Sequence, residues 1–245
     1  IIAAAAVVTA LAFVLFVVCF FSVKEKESVR QEKAPRAFDK APLKALVNNG
    51  PLIAVTLFFL FFQVAFSLFR TVELYYFKYV LERGDLFPAA LLSAHLFAIA
   101  GMAAMPFCVK RFDKKRTSLY GGAIGCLFFL LMYLVPGNVT VALVSISLSY
   151  FFVSVTYALF FAIVPDTVEY GQWKSGIRCA GLIFAVFTFT QKLGMAIAAG
   201  LAGQILKSIG YVADQPQTAA AQHGILLMRT VIPMGVLVAG MVLFL

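Results

Sequence analysis

The chain has 245 residues, 62% of them hydrophobic and 13% charged, with a mean hydropathy of +0.96. A water-soluble domain of this length is far more polar, so the composition excludes one and points to a polytopic helical membrane protein. The net charge of +9 does not indicate nucleic acid as a partner, because the basic residues collect in alternate loops between apolar runs. Those runs have helix-spanning length, whereas a membrane β-barrel is written in short alternating segments. The four cysteines, Cys19, Cys108, Cys126 and Cys179, stand singly, with no C-x-x-C or Cys/His cluster, so neither a disulfide framework nor a metal site is signalled.

Residues 1–23 form a first apolar span. The sequence starts inside this run, and the run lacks a basic leader and a small-residue cleavage site, so it is not a signal peptide. It ends at Leu245 inside another run, and a longer parent chain is expected. Residues 24–50 form a linker with seven basic residues against Glu25, Glu27, Glu32 and Asp39. Pro35 and Pro42 disfavour one long helix there, but residues 42–47 suit a short amphipathic helix on the membrane surface. Asn48-Asn49-Gly50-Pro51 then opens a second span, 51–81, whose far half carries Arg70, Glu73 and Lys78 among tyrosines, so that it is expected either to project beyond the bilayer or to break near its outer end. Further spans are read at 87–109, 118–135, 139–164 and 179–206, and a last one from near His223, making seven.

The loops 24–50, 110–116 and 165–178 hold seven, five and two basic residues, against Arg83 and Lys207 alone in the loops on the other side. The first set is therefore assigned to the cytoplasm. One span, a charged linker and six closely joined spans are what would remain if a twelve-span, six-plus-six transporter were cut before its sixth helix. Such proteins bind substrate between their halves, near the bilayer midplane.

The span 179–206 carries one full charge, Lys192, roughly 20 Å from either end at 1.5 Å per residue. A lysine at that depth costs about 3 kcal/mol to insert and usually faces a bundle interior or a water-filled path. Thr188, Gln191 and Lys192 fall at i, i+3 and i+4, on one helix face. Hydroxyl and amide groups suit sugar hydroxyls, and an ammonium suits a carboxylate on a substrate or on a facing helix. Phe184, Phe187 and Phe189 offer apolar ring faces. Thr188 and Gln191 equally suit bonds to backbone or a neighbouring helix, and Lys192 a structural ion pair. Ala199 and Gly203 form a small-xxx-small pair for close helix approach. The segment 165–178 places Asp166, Glu169, Lys174 and Arg178 at the cytoplasmic surface. There they serve either as a solvated loop with local ion pairs or as a gate whose pairs break between transport states.

DTVEYGQWKSGIR followed by FTFTQKLG resembles the signature of the glycoside–pentoside–hexuronide:cation symporters, a branch of the major facilitator superfamily that includes melibiose permease and the glucuronide permeases. KRFDKKR (residues 110–116) is similar to the family's basic loop between helices eight and nine, and YYFKYVLERGD (75–85) to the end of helix seven.

The resemblance implies an all-α membrane protein, here the C-terminal half of a twelve-helix transporter. Residues 1–23 would be the last helix of the first half, 24–50 the central linker and 51–245 a six-helix bundle. It implies cation-coupled sugar uptake in a bacterial inner membrane, with no enzymatic role. Asp166, Glu169, Lys174 and Arg178 fall on the family's cytoplasmic charged network, and Lys192 on a lysine near the sugar and cation sites. Thr188 matches a sugar-cavity position, while Phe187 stands where melibiose permease has a glutamine. No cofactor is implied beyond a coupling cation, Na⁺ or H⁺, expected to bind in the half not contained here, so no metal ligands are expected in this sequence. The partners implied are a small sugar, the cation and the lipid bilayer. A membrane-embedded sugar receptor that does not transport is the alternative. An enzyme would need a nucleophile–base pair or metal ligands at the membrane boundary, and His95 and His223 stand alone.

Overall fold

The computed structural model describes residues 2–22 and 41–245. Most of the linker's charge lies outside the described residues; of its seven basic side chains only Lys44 falls within them. The chain divides into two units, residues 1–40 and residues 41–245. The first contains α1 (Ile2–Ser22), an apolar helix.

In the second unit α2 (Ala41–Val47) is a short helix over the stretch where one was expected. Asn49 caps α3 (Gly50–Thr71), its Oδ1 accepting from the Leu52 amide at 3.1 Å while Pro51 occupies the first turn. The second span is broken. The helix pauses at Val72 (φ −95°, ψ 1°), resumes as α4 (Glu73–Tyr75) and widens into a π-helical turn over Tyr76–Val80.

Then follow α5 (Phe87–Phe112) and α6 (Lys114–Leu134), joined at Asp113 alone. The expected basic loop 110–116 is therefore the last turn of one helix and the first of the next. Asp113, at φ 65°, caps α6 by accepting from the Arg116 amide at 2.9 Å.

Helix α7 (Val139–Ser175) corrects the sequence reading most. The segment 165–178, expected as a loop, is helical through Ser175, with Pro165 inside the helix. Proline removes one backbone donor, the one that would serve the Phe161 carbonyl. The surrounding turns gain side-chain bonds in return. Lys114 Nζ donates to the Ala162 carbonyl, Thr167 Oγ1 to the Val164 carbonyl, and Asn49 Nδ2 to the Thr167 carbonyl. The helix ends at Gly176, whose φ of 71° is the left-handed conformation that glycine adopts without strain. At about 55 Å, α7 exceeds the roughly 30 Å hydrocarbon layer, so its charged end continues beyond the bilayer.

Helix α8 is Ala180–Ser208. The last span starts earlier than His223 and is split: α9 (Ala219–Arg229) and α10 (Val231–Phe244) meet at the non-helical Thr230. Six helical spans of the second unit are long and apolar enough to cross a membrane.

Contacts fix the alternation of the ends. On the basic side Asn49 meets Thr167, and Lys114 meets Asp166. On the far side the Tyr76 hydroxyl donates to the Pro136 carbonyl, and Lys78 meets Asp214. The core is aromatic. Phe59 stacks on Phe187 at 4.0 Å between centroids, and Phe160 packs against Phe58, Phe59 and Phe62 at 4.7–5.1 Å. Between lipid-bathed helices such contacts supply dispersion energy, because lipid tails are as apolar as the side chains themselves.

Phe187 is thus a core residue, 4% exposed, and offers no ring face to a ligand. The small-residue contact also differs from the expected Ala199–Gly203 pair. Both of those are exposed, and the buried series is Gly194, Ala198 and Ala202. A Cβ on Gly194 would stand 2.8 Å from Gln63 Cβ, so α3 and α8 come too close there for any side chain.

Candidate functional site: a polar and aromatic face on three helices

The residues singled out on α8 lie on its outer face. Thr188 and Lys192 are exposed and Gln191 is half-buried. Thr188 Oγ1 donates to the Phe184 carbonyl of its own helix at 2.9 Å. Lys192 lies 12 residues from the start of α8 and 16 from its end, about 18 and 24 Å at helical rise. It makes no hydrogen bond or ion pair with a described residue.

Gln191 leaves its own helix: its Nε2 donates to the Tyr157 hydroxyl of α7 at 3.1 Å. Tyr157 stacks on Phe66 of α3 at 5.8 Å, and the Arg70 guanidinium lies 5.5 Å above the Phe66 ring. A face forms in which α8 supplies a hydroxyl, an amide and an ammonium, α7 a phenol, and α3 an aromatic ring with a second cation.

Sequence reading missed Tyr157, Phe66 and Arg70. Arg70 carried a signal, a full charge in an apolar span. Tyr157 and Phe66 carried none, because each is one aromatic among many until the helices are packed.

The four charged residues near the basic side do not pair with one another. Asp166 pairs with Lys114 at 2.6 Å, tying α7 to the start of α6. Lys174 Nζ donates to the Asn48 carbonyl at 2.8 Å and lies 5.8 Å from the Tyr170 ring. Among the described residues Arg178 reaches only the Gln172 amide oxygen, at 3.5 Å. Glu169 is exposed and meets no described partner. The helical geometry explains this. Asp166, Glu169 and Lys174 are carried by one helix; the two that stand at i, i+3 are both acidic, and Lys174 lies five and eight residues further along, not at the i+3 or i+4 spacing that lets helix neighbours pair.

Long apolar helices in antiparallel order, with a polar and aromatic face on three of them, have the build of one half of a helical membrane transporter. The whole chain, residues 1–245, matches the model of a family described as MFS/sugar transport protein. The chain belongs to that family, and it has the all-α fold of the C-terminal half of a major-facilitator transporter, as the resemblance implied.

Among curated proteins it is similar to the uncharacterized symporter YnaJ of Bacillus subtilis (strain 168), with 32% identity covering 93% of this chain and 49% of that protein. It is 32% identical to the glucuronide carrier protein homolog of Escherichia coli (strain K12), over 94% of this chain and 50% of the other. It is 29% identical to the isoprimeverose transporter of Lactiplantibacillus pentosus, over 90% and 46%. The chain spans about half the length of the curated relatives it matches. It is a multi-pass membrane protein of a family of transporters, and these relatives are bacterial.

Proposed function

We propose that this chain forms one half of a cation-coupled sugar symporter whose substrate is a glycoside, pentoside or hexuronide, held between this half and a second one. The observation that carries the reading is the Gln191–Tyr157 hydrogen bond at 3.1 Å. It joins α8 to α7 on a face where Lys192 has no partner among the described residues and Thr188 is exposed. Sugars present hydroxyl edges and apolar ring faces, and recognition takes hydrogen-bonding side chains beside aromatic rings. Thr188, Gln191 and Tyr157 supply the first, and Phe66 beside Tyr157 the second. Lys192 supplies a charge for a carboxylate of the sugar or for an acidic residue that binds the coupling cation in the other half. The names of the relatives, symporter, glucuronide carrier homolog and isoprimeverose transporter, support the sugar class and symport.

At the basic side, Glu169, Arg178 and Lys174 are the gate residues in this proposal. Asp166 is already committed to Lys114 within the bundle, whereas Glu169 and Arg178 are exposed, without a charged partner among the described residues, and available to pair across to the other half. Such pairs form in one transport state and break in the other.

Uptake measurements on the full-length protein in membrane vesicles test the reading. Accumulation of a labelled hexuronide, pentoside or glycoside driven by a Na⁺ or H⁺ gradient is expected. Saturable sugar binding without accumulation under any gradient would replace the transporter with a receptor.

A further inference from the structure

Away from that face the bundle holds a charge pair. Arg229, the last residue of α9, is wholly buried, and Glu73, the first of α4, is 2% exposed. Arg229 Nη2 donates to Glu73 Oε1 at 3.3 Å, and the Tyr150 hydroxyl on α7 donates to Glu73 Oε2 at 2.8 Å. Stability alone is a poor account of such a pair. Desolvating two charges offsets much of their attraction, and apolar residues of similar volume often hold a core as well or better.

The arginine also leaves donors unused: Nε and Nη1 are buried with no hydrogen-bond partner among the described residues. Its guanidinium instead covers aromatic rings, 4.9 Å from the Phe69 centroid and 6.0 Å from that of Phe129. Attraction between a cation and a ring face strengthens where water is excluded. Phe69 is enclosed further by Tyr150, edge-on at 5.5 Å, and by Phe129 at 5.2 Å. From Phe69 the contacts continue edge-on to Phe66 at 5.3 Å, then stacked to Tyr157 at 5.8 Å, then by hydrogen bond to Gln191.

We propose that Glu73, Arg229 and Tyr150 are positioning residues for the sugar-binding face. The carboxylate fixes the guanidinium, the guanidinium and Tyr150 fix Phe69, and Phe69 sets the Phe66–Tyr157 ring pair against which the sugar lies. This inference rests on the transport reading above.

The local backbone gives the network its purpose. Phe69 lies three residues before the interruption at Val72, where the helix ladder is bifurcated between the Arg70 and Leu68 carbonyls. The helix by itself holds the ring less firmly there than in an unbroken run. Tyr150 and Tyr157 stand seven residues apart on α7, two turns along one face. One buried pair thereby sets the aromatic contacts of both helices.

The test is a double-mutant cycle on the full-length transporter, read as KM and Vmax of uptake per inserted molecule. Glu73→Gln keeps the side-chain shape and removes the charge. It is expected to raise KM about three- to tenfold, with Vmax within about twofold. In a Tyr157→Leu background, which removes the ring, the same change is expected to add less than about twofold, because the network then has no Phe66–Tyr157 ring pair to position. Phe69→Leu, which leaves the charge pair in place, carries the same expectation and serves if Glu73→Gln fails to reach the membrane. Unchanged KM, or effects that add fully across the cycle, would overturn the proposal. So would failure of both variants to insert, which would make the network a folding element only. Absence of uptake by the parent protein would instead remove the transport reading itself.

Discussion

Gln191 on α8 and Tyr157 on α7 meet side chain to side chain, the amide Nε2 donating to the phenol oxygen across 3.1 Å. The bond fixes the amide so that its Oε1 remains available to a hydroxyl donor. Tyr157→Phe removes the phenol oxygen and leaves the amide donor without this partner. A neutral hydrogen bond contributes about 0.5–1.5 kcal/mol. Uptake should therefore show KM raised about 2- to 13-fold with normal amounts of protein in the membrane. An unchanged KM would remove Tyr157 from the site.

Lys192 gives a sharper test, because a full charge at mid-membrane needs a counter-charge somewhere in the transport cycle. Lys192→Met keeps length and apolar character and leaves any partner carboxylate unpaired, a loss of about 3–5 kcal/mol when the pair is buried. Concentrative uptake should be abolished while membrane insertion persists. Lys192→Arg is expected to fail as well, because the planar fork is bulkier and weaker in hydration. The substrate panel then separates the two roles. Loss of binding for an acidic sugar but not for its neutral analogue identifies direct contact. Loss of ion coupling with sugar binding intact identifies an acidic partner at the cation site. Full transport by Lys192→Met would show that the charge is merely tolerated.

The charged residues at the basic side should divide into two kinds. Asp166 and Lys114 are 54% and 38% exposed at the side chain, and their pair joins helices of one bundle. Exposed pairs contribute about 0–1 kcal/mol. Asp166→Asn is expected to leave the melting temperature and the balance of transport states nearly unchanged. Arg178→Ala, which removes a cation with no acidic partner in the bundle, should shift the populations of inward- and outward-facing states more than it shifts sugar affinity within either. Distance measurements between spin labels on the two halves of the full-length protein would report this. Equal effects of the two variants would contradict the division.

On the far side, Lys78 lies 2.6 Å from Asp214 Oδ1 and, through that hydrogen bond first and its charge second, holds the Asp214 carboxyl below the usual carboxylate range. The Asp214 amide donates to the Tyr79 hydroxyl at 3.2 Å, completing a latch between the end of the second span and the connection after α8. A depressed carboxyl stabilises the latched form fully above its unfolded value, about pH 3.9, and the contribution disappears as pH falls through the lower, folded value. Hydrogen exchange at the Asp214 amide, corrected for intrinsic rate, should stay slow from pH 7 to about 4 and quicken below. Asp214→Asn should remove that step. A latch that opens between pH 5 and 7 would contradict the assignment.

Composition, spacing and charge settled most of the architecture, because the bilayer forces each span to declare itself as about 20 consecutive apolar residues with basic residues gathered on one side. Lys192, Gln191 and Thr188 were legible for the same reason: polar groups at helical spacing stand out against an apolar helix. Length and hydropathy did not reveal where helices break or continue. Pro165 and its charged neighbours read as a loop, but side-chain bonds from Lys114, Thr167 and Asn49 sustain α7 through Ser175. Arg70, Glu73 and Lys78 marked the outer part of the second span as a place to project or break, and the break falls at Val72 among them; the split at Thr230 left no comparable mark. Partners were even less accessible. Glu73 and Arg229 are separated by 156 positions, Gln191 and Tyr157 by 34, and Asp166 and Lys114 by 52. Local propensity carries no information about pairs at such separations, since only packing decides which helix faces meet. The sequence by itself determined which residues are too polar to face lipid; the tertiary structure decided which of them share a site, because a buried charge or hydroxyl takes its partner from whichever helix packing brings within reach.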